Sequence, residues 1–260
     1  MSSIPFFQVD AFAERPLTGN PAAVLPLDRW LADDLMQAIA AENNLSETAF
    51  TVPSEREDAD YDLRWFTPVA EVPMCGHATL ASGHVLLTGQ SVRFSTRYSG
   101  ILTVSRRDDL LELNLPAATV APGDMPRLLS ALRVDGEIFI GRGSEEAAIV
   151  LLRNEAEVRA VQPDFAALGA FPPLTIVTAP GDEQTIASRV FAVPVGIDED
   201  PVTGAAHAAL VPFWAERLDR KEFTALQASK RTGLLQCRLE GDRVVLGGRC
   251  RTVIVGNFQL

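Results

Sequence analysis

Apolar and polar residues change period repeatedly along the chain, and each change marks an element. Residues 6–12 read as a strand, a turn follows over 16–21, and 22–25 read as a second strand. Leu31, Leu35, Met36 and Ile39 then fall on one helical face, and the helix is expected to run out at Asn43-Asn44. Over 47–52 the pattern returns to alternation, with Phe50 and Val52 on one face and Glu47, Ala49 and Thr51 on the other. Glu47 therefore opens a strand directly behind a helix-ending loop. Further strands are predicted over 62–66, 92–94, 102–105 and 110–113.

Residues 72–92 contain no Asp, Glu, Lys or Arg. Their length suits a membrane span, but Pro73, His77, His84 and Gln90 would be costly in lipid. A helix that is mostly apolar all round suits a protein interior, so 75–87 are predicted as a turn feeding a buried central helix. Strands in runs, interrupted by one such helix, make an α+β order.

The stretch 116–126, rich in Ala, Pro and Gly, is expected to be a linker between a first domain at 1–115 and a second at 116–249. The second half repeats the plan of the first. Strands at 137–140, 147–152 and 174–178, with a helix near 164–168, lead to 189–195, and another apolar helix runs over 203–218. The stretches 65–78 and 190–204 share a layout of strand, proline, acidic residue, tight turn and apolar helix. A duplicated fold explains that economically. Closing strands are expected at 234–239, 243–246 and 250–255.

With 34 acidic side chains against 23 basic ones, the net charge of −11 repels a phosphate backbone or an anionic membrane surface, so neither nucleic acid nor membrane is an expected partner. Three distant cysteines, Cys75, Cys237 and Cys250, suit a reduced compartment, and the opening residues lack the pattern of a signal peptide. Cytoplasmic residence is the expectation. Cys75-x-His77 is one close ligand pair without a second, so no metal is expected. Gly141-Arg-Gly143 lacks the third glycine and downstream acid of a dinucleotide fingerprint. Two apolar helices, each behind a glycine-bearing turn, instead offer unpaired backbone N–H groups that can hold a carboxylate. His77 stands at the first of these turns, whereas His84 and His207 lie further along their helices and are read as structural.

Four blocks then carry a resemblance. Asp10-Ala-Phe12 with Gly19-Asn-Pro-Ala-Ala-Val24, Asn44-Leu-Ser-Glu-Thr-Ala-Phe50, Phe66-Thr-Pro68 with Cys75-Gly-His-Ala-Thr79, and Asp200-Pro-Val-Thr-Gly204 resemble, in order, the signature of the phenazine-biosynthesis-like (PhzF) family. The likeness runs from residue 6 to 256. It implies a fold similar to diaminopimelate epimerase: two pseudo-repeated domains, each a curved half-barrel sheet around a central apolar helix, with the active site in the cleft between them. The C-terminal strand, about 250–260, is implied to return to the first domain. The resemblance further implies a cofactor-independent isomerase of a small unsaturated or cyclic carboxylate, acting as a homodimer.

Carried over by motif, Glu47 is the catalytic acid/base, and Gly76, His77, Asp200 and Gly204 match substrate-binding positions. Cys75, also placed at the substrate, falls where diaminopimelate epimerase keeps one of two catalytic cysteines; the second position is Pro201. Ala205 replaces a serine frequent in the family, so one hydroxyl contact is absent. Inverting a stereocentre by two bases needs a group on each face of the carbon, and proline is neither acid nor base. Moving a proton along one face needs a single carboxylate. The alternatives are a Cys75-assisted epimerase or racemase and a non-catalytic small-molecule binding protein on the same scaffold.

Overall fold

The computed structural model describes residues 3–142 and 147–260, so Gly143 lies outside the described residues. The chain divides into two compact units, Met1–Asn114 with Gly247–Leu260, and Leu115–Leu246. The elements run β1 (Ser3–Ala11), β2 (Asn20–Pro26), α1 (Asp33–Asn43), β3 (Glu47–Pro53), β4 (Tyr61–Phe66), β5 (Glu71–Val72) and α2 (Gly76–Leu86). There follow β6 (Ser91–Thr96), β7 (Ile101–Arg107), β8 (Leu110–Pro116), β9 (Thr119–Gly123), α3 (Pro126–Leu132), β10 (Glu137–Arg142) and β11 (Ala147–Leu151). Next come α4 (Glu155–Ala160), α5 (Phe165–Leu168), β12 (Leu174–Pro180), β13 (Ile186–Ala192), β14 (Ile197–Asp200) and α6 (Gly204–Leu218). The chain closes with β15 (Glu222–Gln227), β16 (Gly233–Glu240), β17 (Arg243–Gly248) and β18 (Cys250–Gln259). No helix of the described residues is long and apolar enough to cross a membrane.

In the first unit β1 lies antiparallel to both β2 and β18, β2 is parallel to β3, β3 antiparallel to β4, β4 parallel to β6, and β6 to β8 form a meander. α2 is buried from Gly76 to Gly83, as its charge-free sequence requires. Its backbone lies so close to β7 that a Cβ on Gly83 would stand 2.5 Å from Val104 Cγ1. α1 packs Met36, Ile39 and Ala40 against Leu25, Phe50 and Phe66. Each such fully buried large side chain contributes about 1.5–3 kcal/mol.

The second unit shows the same succession of pairings. β10 is antiparallel to β9 and β11, β11 parallel to β12, β12 antiparallel to β13, β13 parallel to β15, and β15 antiparallel to β16. Each unit thus runs antiparallel, parallel, antiparallel, parallel, antiparallel. In each, a short hairpin partner (β5 or β14) and then an apolar helix (α2 or α6) lie within the second parallel crossover. The stretches 65–78 and 190–204 occupy matching places in this succession, which sets Cys75-Gly76-His77 against Thr203-Gly204-Ala205.

α6 contains Pro212, which has no N–H for the carbonyl of Ala208 four residues back. Ala118 donates its backbone N–H to that carbonyl at 3.0 Å instead. The expectation of a linker over 116–126 is corrected here: the segment carries β9, paired to β10 from Thr119 to Gly123. Its prolines and alanines hide the strand because pairing comes from the partner and not from local propensity. Helices α3 and α4 and strand β15 were likewise not expected from the pattern.

Candidate active site

Local chemistry places Glu47. α1 ends at Asn44 in the left-handed region (φ 48°), where its N–H bonds the Ala40 carbonyl at 3.2 Å. Asn43 then donates through Nδ2 to Thr48 Oγ1 at 3.1 Å, which ties the helix end to the first residues of β3. Glu47 opens that strand, in parallel register with Ala22 of β2. Asn20 opens β2 itself, behind Gly19 at φ +68°, where a Cβ would run into the Ala11 carbonyl. Asp10, buried on β1, accepts the backbone N–H of Leu17 at 2.7 Å and so closes the loop that delivers Asn20.

The start of α2 completes the group. Cys75 is the N-cap residue, makes no side-chain capping hydrogen bond, and is followed by Gly76 and His77 as the first helical residues. His77 Nε2 stands 3.1 Å from Glu47 Oε2, an ion-pair distance without good hydrogen-bond alignment. On the other side of the ring Nδ1 meets Asn20 Nδ2 at 3.2 Å and Cys75 Sγ at 3.5 Å. All four residues are buried, Glu47 the least so at 9% exposure. In the neutral ring the Asn20 amide donates to Nδ1, which leaves the ring proton on Nε2, toward Glu47.

Charge and burial act on these groups in opposite directions. Burial, reinforced by the Glu47 carboxylate, pushes the Cys75 thiol up to about 11, so it is a neutral thiol at neutral pH. Burial opposes a second proton on His77, the adjacent Glu47 carboxylate favours it, and the balance lies above the usual histidine range. Glu47, Cys75 and His77 also bring metal-type ligand atoms within 4.8 Å of one another, an O, S, N set of the kind zinc accepts. The sequence pointed only to the Cys75 and His77 pair. Because Glu47 and Cys75 approach different nitrogens of the ring, the arrangement fits a proton relay better than a common metal centre.

Asp200 and Gly204 belong to the second unit. Asp200 ends β14, Thr203 is the N-cap of α6, and Gly204 is its first residue. The Thr203 hydroxyl donates to Asp200 Oδ2 at 2.5 Å, and the buried Gln227 side chain braces the turn between them. His207, buried in α6, donates through Nδ1 to the Thr203 carbonyl at 2.8 Å, and burial pushes it down to about 4. His84 is a tie between α2 and β18, with Nε2 3.0 Å from Thr252 Oγ1.

Of the residues singled out from sequence, Glu47, Cys75, Gly76 and His77 converge at one place in the first unit, while Asp200 and Gly204 share one turn in the second. Asn20 and Gln227 were missed. Asn20 sat in the Gly19-Asn-Pro block without a role, and Gln227 was visible as the third buried position of an alternating run with Phe223 and Ala225.

Comparison with known proteins bears on this arrangement. The family model described as phenazine biosynthesis-like protein (PhzC-PhzF) matches residues 9–256. An uncharacterized isomerase of Pseudomonas aeruginosa is 48% identical over 264 residues, with 99% of each chain covered. The crystal structure of a PhzF-family phenazine biosynthesis protein from Enterococcus faecalis is 40% identical, covers 100% of both chains and superposes with a TM-score of 0.92. A predicted epimerase from Pseudomonas aeruginosa, 20% identical over 99% of both chains with a TM-score of 0.77, shares the fold. On a family match spanning nearly its whole length and relatives identical at 40% and 48% of positions, the chain belongs to the phenazine biosynthesis-like (PhzF) family.

Proposed function

We propose that the chain is a cofactor-independent isomerase that moves a proton between carbons of a small unsaturated or cyclic carboxylate, with Glu47 as acid and base. The observation that carries this is the buried approach of Glu47 Oε2 to His77 Nε2 at 3.1 Å, at the start of a helix whose N-cap side chain makes no capping hydrogen bond. Glu47 takes a C–H proton from the carbon next to the conjugated system. The electron pair left behind delocalises toward the substrate carboxylate, where helix N–H groups and His77 stabilise the growing charge. The Glu47 carboxylic acid then returns the proton at the allylic carbon, the double bond shifts, and the carboxylate is regenerated. Asp200 and Gly204 are assigned to substrate contact on the motif match.

Two features weigh against the Cys75-assisted epimerase. A thiol pushed up to about 11 is a poor base at neutral pH, and the residue matching Cys75 at the start of α6 is Thr203 and not the expected Pro201, a hydroxyl that is no base at that pH either. The isomerase name of the Pseudomonas relative supports the reaction class. Incubation of the protein with pooled small carboxylates in heavy water, read by mass spectrometry, tests the proposal. New C–D bonds are expected with the wild type and not with Glu47→Gln. Tight retention of one metabolite with no exchange would instead favour the binding protein.

A further inference from the structure

Gln227, at the end of β15, is fully buried and uses both ends of its amide. Its Oε1 accepts the backbone N–H of Thr203 at 2.9 Å. Its Nε2 donates to the Asp200 carbonyl at 2.8 Å and to Thr203 Oγ1 at 3.1 Å. These partners leave no choice of amide orientation, since a backbone N–H needs the oxygen and a carbonyl needs the nitrogen. Thr203 Oγ1, having accepted from Gln227, has its own hydrogen to give, and Asp200 Oδ2 lies 2.5 Å away. The hydrogen bonds therefore run one way, from amide to hydroxyl to carboxyl oxygen. The last member must be an acceptor, because a proton on Oδ2 would face the threonine hydrogen.

Thr203 gives up something for this. As the N-cap residue of α6 it is of the type that ordinarily caps the first turn with its hydroxyl, and here it makes no such bond. Its carbonyl is held from the other side by His207 Nδ1, and Ser229 Oγ donates to the Pro201 carbonyl at 2.8 Å, so the whole turn is braced.

We propose that Gln227 and Thr203 are positioning residues that hold Asp200 as an oriented, ionised acceptor at the entrance of α6. The inference rests on the assignment of Asp200 to substrate contact and names the two side chains that prepare it. Glu199 is engaged with Arg189 at 2.7 Å, and His207 is a neutral ring behind Thr203 at neutral pH.

The experiment is a pH titration of the Asp200 carboxyl carbon by NMR in folded wild type, Thr203→Val, Thr203→Ser and Gln227→Glu, with Asp200→Asn to assign the signal. Thr203→Val removes the donor and leaves the Gln227 bonds to the Thr203 N–H and the Asp200 carbonyl intact. It is expected to raise the Asp200 midpoint by about one pH unit, the scale of a lost hydrogen bond to a charged group. Thr203→Ser keeps the hydroxyl and should leave the midpoint where it is. Gln227→Glu replaces the donor by an acceptor, draws the threonine hydrogen away, and should raise the midpoint as Thr203→Val does. An unchanged midpoint in both Thr203→Val and Gln227→Glu, with native amide spectra, overturns the proposal. No substrate enters this measurement. Failure of the underlying assignment would show separately, as undiminished exchange in heavy water by Asp200→Asn.

Discussion

Glu47 and His77 meet inside the protein with Oε2 and Nε2 3.1 Å apart, one from the first residue of a strand and the other from the second residue of a helix. A carboxylate so placed has one oxygen held against the imidazole, which orients the other for a single-base proton transfer.

Replacement of Glu47 by Gln keeps the shape and removes the base. Turnover in the heavy-water assay should fall by about a hundredfold or more, the scale of general acid/base catalysis, while the folded amide spectrum is retained. Full activity in Glu47→Gln would end the mechanism.

Cys75 should be chemically quiet. With its thiol pushed up to about 11, roughly one molecule in a thousand carries a thiolate at pH 8. Iodoacetamide labelling of Cys75, followed by peptide mass spectrometry, is expected to be slow at pH 8 and to rise about tenfold per pH unit above it. Cys75→Ala should keep turnover within about tenfold of wild type; a collapse to the level of Glu47→Gln would restore the epimerase.

His207 gives a pH dependence of stability with a definite sign. Its folded-state value, about 4, lies below the unfolded 6.5, so the unfolded chain takes up the proton first as pH falls. Its contribution is present above pH 6.5 and is lost as the pH drops toward 4, by about 2 kcal/mol between pH 7 and 5. Urea unfolding at both pH values should show that drop in wild type and a drop smaller by that amount in His207→Gln. Equal drops would show that His207 is not held neutral.

Gly83 sets how closely α2 can lie on β7. A Cβ there would stand 2.5 Å from Val104 Cγ1 and 2.7 Å from Val104 Cβ, so Gly83→Ala should cost about 1–3 kcal/mol of unfolding free energy. Val104→Ala makes room for the added methyl. In a double-mutant cycle the pair should therefore cost less than the sum of the two single changes. Strict additivity would show that the helix shifts away without strain.

What the sequence disclosed follows from how local each feature is. The two central helices were legible because a run such as 75–87, without a charge, has few other places to go. Glu47 at a strand start was legible because Asn43-Asn44 ends a helix by its own conformation. The meeting of Glu47 with His77 was not, since it depends on β2, β3 and α2 arriving side by side, and periodicity carries no information about which ends adjoin. The motif match alone linked them. β9 was lost behind its prolines, and with β15 unseen, Gln227 had no element to sit on.

Pro212 and Ala118 have a consequence for how the second unit is assembled. The ladder of α6 lacks a rung at Pro212, and the Ala208 carbonyl is satisfied from far upstream in the chain. This helix therefore cannot complete itself as a local event, and its middle turn consolidates only when the segment before β9 docks along it. Synthesis runs in the favourable order: residue 118 has left the ribosome before α6 is made, so the donor waits for its acceptor. A fragment beginning after residue 118 would leave the Ala208 carbonyl exposed at the one turn the helix cannot close unaided.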